Sequence, residues 1–137
     1  MSLLDRSTYY KGLLVLMGKD RIIDPREREM MLRVGRILDF DKRFCDAAID
    51  DLLQNAYITG NPILFSSRGI AECFLSDAVR LAIVDEEMHR LEWTWLKAVA
   101  STNGIPEEWL DCEVRRIWEN KNPLDLSTKF AIEKYLH

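Results

Sequence analysis

At 137 residues, with a hydrophobic fraction of 47% and 31% charged residues, the chain is one domain's worth of core-forming sequence and is expected to fold without disulfides or structural metal. No apolar run approaches the length that spans a bilayer, and "MSLLDRSTYY" has neither a basic start before an apolar stretch nor a small-residue cleavage site, so a cytoplasmic protein is expected. The net charge of −4 falls in residues 61–137, around Asp85–Glu87 and Pro106–Glu113, which disfavours nucleic acid as a partner because phosphate binding wants the opposite sign.

Along the chain, apolar residues recur at helical spacing, and no stretch alternates convincingly as a strand would. The expected class is all-α, a compact bundle of about seven helices forming a single domain over residues 1–137. Helix one is predicted from about Ser7 to Gly18. "DPRERE" opens helix two, whose Met30, Met31, Val34 and Leu38 share one inner face while Arg26, Arg33 and Arg36 take the wet side. Asp41 is placed to cap helix three, with Phe44, Ala48, Leu52 and Ala56 as its inner stripe. "TGNPILFSSRG" is the one long connection, and "IAECFLSDAVRLAIV" after it is apolar almost all round, as suits a helix at the core's axis. Helix five is predicted from about Arg90 to Thr102. Pro106 starts helix six, and "NPLDLSTKFAIEKYL" reads as a last helix.

Sliding the chain on itself by sixty-five residues sets Asp20 on Asp85, Ile23 on Met88, Glu27 on Glu92, Val34 on Val99, Phe40 on Ile105, Phe44 on Trp109 and Leu52 on Ile117. Periodic apolar spacing alone is shared cheaply among helical proteins, but here the acidic and turn positions match as well. An internal duplication is expected, with one repeat at about 9–57 and the other at about 74–118, packed about a pseudo-two-fold axis.

The stretch "DRIIDPRE", an Asp, a hydrophobic, a second acidic residue and then a Glu at the mouth of a helix in a duplicated all-α unit, resembles the tellurite-resistance TerB-like family, whose turn is typically Asp-Gly-x-Ile-Asp/Glu-x-x-Glu. The resemblance covers about Tyr9 to Trp118. It implies a compact helical domain, a bacterial setting in stress response or chaperone-linked assemblies, and a divalent-metal site built from the acidic turns. Carried over position by position, it marks Asp20, Asp24 and Glu27 in the first turn and Asp85 and Glu92 in the second. The chain departs from the family's pattern at Arg21 and Glu86, which stand where the family prefers Gly, and at His89, which replaces the second acidic residue.

Read from the residues alone, the first turn has a plainer explanation. Asp24 precedes Pro25, a favoured first helical residue, and Glu27 follows three positions later, the capping-box arrangement in which each side chain satisfies the other's free backbone N–H. A cap leaves Asp20 without a duty, and the metal reading needs it. Hard cations such as Ca²⁺ or Mg²⁺ require more oxygens than this turn offers by itself. In the second turn Asp85, Glu86, Glu87, His89 and Glu92 mix oxygen and imidazole donors and suit Mn²⁺ or Zn²⁺ better, the plain alternative being a solvated acidic junction.

Other signals fail. "GLLVLMGK" has one residue too many between its glycines for a phosphate loop and no Ser or Thr after the Lys, and no acidic stretch satisfies the twelve-residue calcium-loop spacing. Cys45, Cys73 and Cys112 form no C-x-x-C pair and are expected as buried thiols. With His89 and His137 as the only histidines, a nucleophile–base pair would rest on His89, so catalysis is not expected. Of the four tryptophans, Trp93 lies off the stripe of Trp95, Leu96 and Val99 and is the candidate for an exposed partner surface. These observations lead to the expectation of a non-enzymatic domain, for which the resemblance implies a role in stress response or protein assembly, with Asp20, Asp24, Glu27, Asp85, His89 and Glu92 as candidate ligands for Ca²⁺, Mg²⁺, Mn²⁺ or Zn²⁺. The alternative is a metal-free domain that binds a protein partner or itself.

Overall fold

The computed structural model describes residues 2–17, 25–54, 62–82 and 90–119. Within them lie helices α1 (Leu3–Met17), α2 (Pro25–Ile37), α3 (Lys42–Gln54), α4 (Arg68–Ala82), α5 (Arg90–Thr102) and α6 (Glu107–Glu119), and no strand. The all-α expectation holds. The helix expected in "NPLDLSTKFAIEKYL" lies outside the described residues.

Local chemistry explains the boundaries. α1 begins four residues before the expected Ser7 because Ser2 and Asp5 form a capping pair. The Asp5 N–H donates to Ser2 Oγ at 3.1 Å, and the Ser2 hydroxyl donates to Asp5 Oδ2 at 2.9 Å. α3 starts where expected, with the Arg43 N–H donating to Asp41 Oδ1 at 3.2 Å. α2 and α5 end in the same device, a residue in the left-handed region followed by an apolar one. Asp39 (φ 68°) donates its N–H to the Arg36 carbonyl at 3.0 Å, and the Phe40 N–H reaches back to Gly35 at 2.8 Å. Gly104 (φ 71°) donates to Ser101 at 3.1 Å, and Ile105 to Ala100 at 2.8 Å. These are Schellman turns, and they satisfy carbonyls that the helix end would otherwise leave open.

The starts of α1 and α3 and the end of α2 fall on the starts of α4 and α6 and the end of α5 at the same offset of sixty-five residues, and so do Asp39 and Gly104. Neighbour relations among the described residues largely follow suit, apart from a contact of α1 on α5 that α4 does not match on α2. α1 packs on α2 and α3, as α4 packs on α5 and α6; α2 lies against α3, as α5 lies against α6; and α1 and α4 meet each other.

The core centres on that meeting. Ten of the fifteen α4 residues are buried, so the helix read as apolar all round is enclosed on several sides. The Tyr9 ring stands edge-on to Phe74, with centroids 5.4 Å apart, and Phe74 in turn meets Phe65 at 5.2 Å and Trp95 at 6.1 Å. Gly12 lets Phe74 approach the α1 backbone: a Cβ there would stand 2.8 Å from two Phe74 ring carbons and 2.5 Å from Ile63 Cδ1. Segment 62–67 is held by side chains. Asn103 accepts the Phe65 N–H at 3.0 Å and donates to the Ile63 carbonyl at 2.8 Å, while Asp5 accepts the Ser66 N–H and hydroxyl at 3.1 and 2.5 Å.

Met30, Met31, Val34 and Leu38 are buried as expected, whereas the α3 stripe is turned by one residue. Cys45 and Ile49 point inward, Phe44 is 55% exposed, and Ala48 is half-buried. The cause is a close approach in which the Cys45 sulfur lies where a Cβ on Gly35 would stand, leaving no room for a phenyl ring. Phe44 instead stacks at the edge on Phe40, 5.5 Å away.

The two Schellman residues supply a test. No heavy atom lies within 4 Å of a Cβ built on Gly104, so Gly104→Ala should cost about 1 kcal/mol through backbone strain alone. Asp39→Gly, which relieves the matching strain, should stabilise by about 0.5 kcal/mol. Urea midpoints measure both, and a neutral Gly104→Ala would contradict the account of the turn.

Candidate functional site

Of the six residues expected to ligate a cation, the described structure places two. Glu27 and Glu92 are each the third residue of their helices, and both are buried, 7% and 6% exposed. A carboxylate in a first turn faces free backbone N–H groups and the positive end of the helix dipole, which offsets much of the cost of taking it from water. That position for Glu27 matches the capping-box reading. Asp20, Asp24, Asp85 and His89 lie outside the described residues. Among the described residues, no group of three or more His, Cys, Asp or Glu side chains could hold a metal ion together.

Two polar clusters that sequence reasoning missed flank α4, one facing α1 and the other α6. The Tyr9 hydroxyl donates to the fully buried Asp77 carboxylate, which also pairs with Arg80 through Nη1 at 3.2 Å. One turn face away, the Ser76 hydroxyl donates to Glu113 Oε2 at 2.6 Å, and Arg116 grips the same carboxylate with Nε and Nη2 at 3.0 and 2.7 Å. Burial and the Asp77 charge hold the Tyr9 hydroxyl well above its usual range. The same two causes push the Cys73 thiol up to about 11. Burial also works against the Glu113 charge, but the bonds from Arg116 and Ser76 outweigh it and leave that carboxyl below its usual range. A phenol and a thiol kept protonated are poor nucleophiles, and the two clusters tie α4 to α1 and to α6. Asp77, set among the apolar residues of the α4 inner face, was the available signal.

The cysteines differ from expectation. Cys45 is buried, but Cys73 is half-buried and Cys112 exposed, since the α6 face carrying Cys112 turns to solvent.

The described surface offers a groove of about 440 Å³ along α5 and α6, lined by Trp93, Asp111, Val114, Arg115, Trp118 and Glu119. Trp93 is half-buried, because it sits at the seam between the two helices. Lys97 Nζ lies 5.7 Å from its ring centroid and 3.7 Å from Glu107. The more open indole is Trp118, near the end of α6, at 44% exposure. The seam of α2 and α3 is built otherwise. Arg28, sixty-five residues before Trp93, bonds Asp46 at 3.2 Å and Asp50 at 3.1 Å and so bridges the helices. The residues at the matching α6 positions are Asp111 and Arg115. A seam that an ion pair bridges in one place is open and aromatic in the other.

Tyr9→Phe should cost about 1–3 kcal/mol, because it removes a donor from a carboxylate that has no access to water. Chemical denaturation would measure the loss, and a silent Tyr9→Phe would mean that Asp77 is held by its other partners alone. No helix of the described residues is long and apolar enough to cross a membrane. No family model matches the chain, and no curated protein or solved structure matches it either.

Proposed function

We propose that the chain is a non-enzymatic, TerB-like helical module of a bacterial cytoplasm, made of two copies of a three-helix unit, that serves protein assembly or stress response by binding a protein along α5 and α6. The groove carrying Trp93 and Trp118 is the observation that carries this reading: indoles at a seam, flanked by charges, have the composition of an interface centre. The duplication is supported by the offset of sixty-five that relates the starts of α1 and α3 and the end of α2 to the starts of α4 and α6 and the end of α5, and by the paired Schellman turns. The non-enzymatic reading is supported by the scarcity of histidine. To test the binding surface, benzoyl-phenylalanine is placed at Trp118 and, as a control, at exposed Glu29, and cells are irradiated. A discrete adduct from position 118 and none from position 29 is expected, whereas equal labelling or none at either position overturns the groove as a binding surface.

The second reading places a divalent cation in the acidic turns, and the burial of Glu27 and Glu92 at matching helix positions favours it. Binding to the folded state alone adds about 2.7 kcal/mol at one hundred times the dissociation constant. Thermal melts in EDTA should then be exceeded by melts in one of Mn²⁺, Ca²⁺, Mg²⁺ or Zn²⁺ for the native chain, with the gain lost in Asp20→Asn, Asp85→Asn. If no cation moves the melt, or both proteins respond alike, the turns are caps and solvated charge.

A further inference from the structure

Resting on the reading of the α5–α6 groove as a binding surface, we infer that its occupant is a second copy of this chain, with α6 packed antiparallel on α6 about a two-fold axis near Ile117. Asp111, Arg115 and Glu119 follow one another at intervals of four along α6 and line the same groove, so their charges alternate along one stripe. None of the three makes an ion pair with a described residue. By contrast, Asp46 and Asp50, the α3 carboxylates at the corresponding stripe, are both taken by Arg28.

A two-fold contact is isologous: whatever one copy offers it also receives. With the axis at the level of Ile117, Arg115 of each copy stands opposite Glu119 of the other, making two equivalent ion pairs, and the two Trp118 rings meet beside the axis. Trp93 and Val114 flank them. Sliding the register two residues toward the N-terminus sets Arg115 on Arg115 and Asp111 on Glu119, so like charges select against that neighbour. A basic peptide would meet Arg115 and Lys97, and an acidic one Asp111 and Glu119. The alternating stripe complements itself better than either. One helix face is a small contact, so the dimer is weak and depends on salt.

The test is sedimentation equilibrium of the full chain from about 5 to about 500 µM at low and high salt, a range suited to micromolar dissociation constants. The native chain should dimerise in the upper part of that range, less so in high salt. Arg115→Glu, which sets carboxylates against carboxylates, should weaken association at least about tenfold. The charge swap Arg115→Glu, Glu119→Arg should restore it, which a merely structural role for Arg115 would not do, and thermal melts confirm that the variants are folded. A native chain monomeric throughout, an Arg115→Glu variant that dimerises as well as the native chain, or a folded swap that fails to restore dimerisation each overturns the proposal. A monomeric native chain that crosslinks a different protein through position 118 overturns self-association and leaves the binding groove standing. Monomer and no crosslink sink both.

Discussion

The structure depends on the crossing of α1 and α4. Each of these helices carries two others, α1 holding α2 and α3 and α4 holding α5 and α6, and their meeting, with a lesser contact of α1 on α5, makes the two triplets one core. Its contact is an aromatic ring laid on bare backbone. Phe74 reaches α1 because residue 12 is glycine, and even an added methyl there would overlap the ring and Ile63. Packing this close brings many dispersion contacts into one small volume and tolerates no added atom, which fits the general density of protein interiors. Sixty-five residues after Gly12 stands Asp77, the acceptor of the Tyr9 hydroxyl, and sixty-five after Tyr9 stands Phe74. The same pair of positions is therefore filled twice across the crossing, once as tyrosine on aspartate and once as phenylalanine on glycine. In the proposed duplication, this is how one contact diverged into a polar and an apolar version. The polar version is directional, since a buried carboxylate loses heavily unless its donors arrive in place.

What the sequence revealed and what it concealed divide along physical lines. The end of α5 was legible to the residue, and the end of α2 and the start of α3 nearly so, because these ends are written in local chemistry: an Asp cap and a Gly in the left-handed region. The α1 start was written in equally local chemistry, Ser2 with Asp5, yet it was passed over because three residues of the first turn, Leu3, Leu4 and Asp5, do not carry the apolar period that announces a helix. The α3 stripe differs by one residue from its expected place because periodicity gives the spacing of an inner face and leaves its phase to packing. Phe44 is the larger hydrophobe, but Cys45 is the one that fits against Gly35. Size, which favours burial on average, is overruled when two helices approach closely.

The candidate site was the least legible part, for a related reason. Carboxylates in a turn announce themselves in any sequence, whereas a groove arises from what two helices fail to fill. Trp93 was marked as off its own stripe, but only the packing of α5 beside α6 shows it at a seam with Trp118, on a helix whose residues are far from it in sequence. The Tyr9–Asp77 pair was hidden in the same way by sixty-eight residues of separation. Side chains brought together by tertiary packing leave no spacing for a motif to display.

In the proposed duplication, the two seams are how one copy is left for another task. An ion pair as exposed as Arg28 with Asp46 and Asp50 adds little to stability, of the order of 1 kcal/mol or less, so the fold does not require it at both seams. Its work is to close the surface, because a guanidinium bridging two carboxylates one turn apart leaves neither charge seeking a partner. Replacing the arginine by Trp93 and one of the two aspartates by Arg115 removes that closure at small cost to the fold. It leaves in its place indole surface and a row of alternating charges. Such a surface loses free energy in water and regains it when covered by a face of matching sign and shape. In a chain whose packing is secured at the α1–α4 crossing, the α5–α6 seam is therefore the place where sequence could change toward binding without loosening the core.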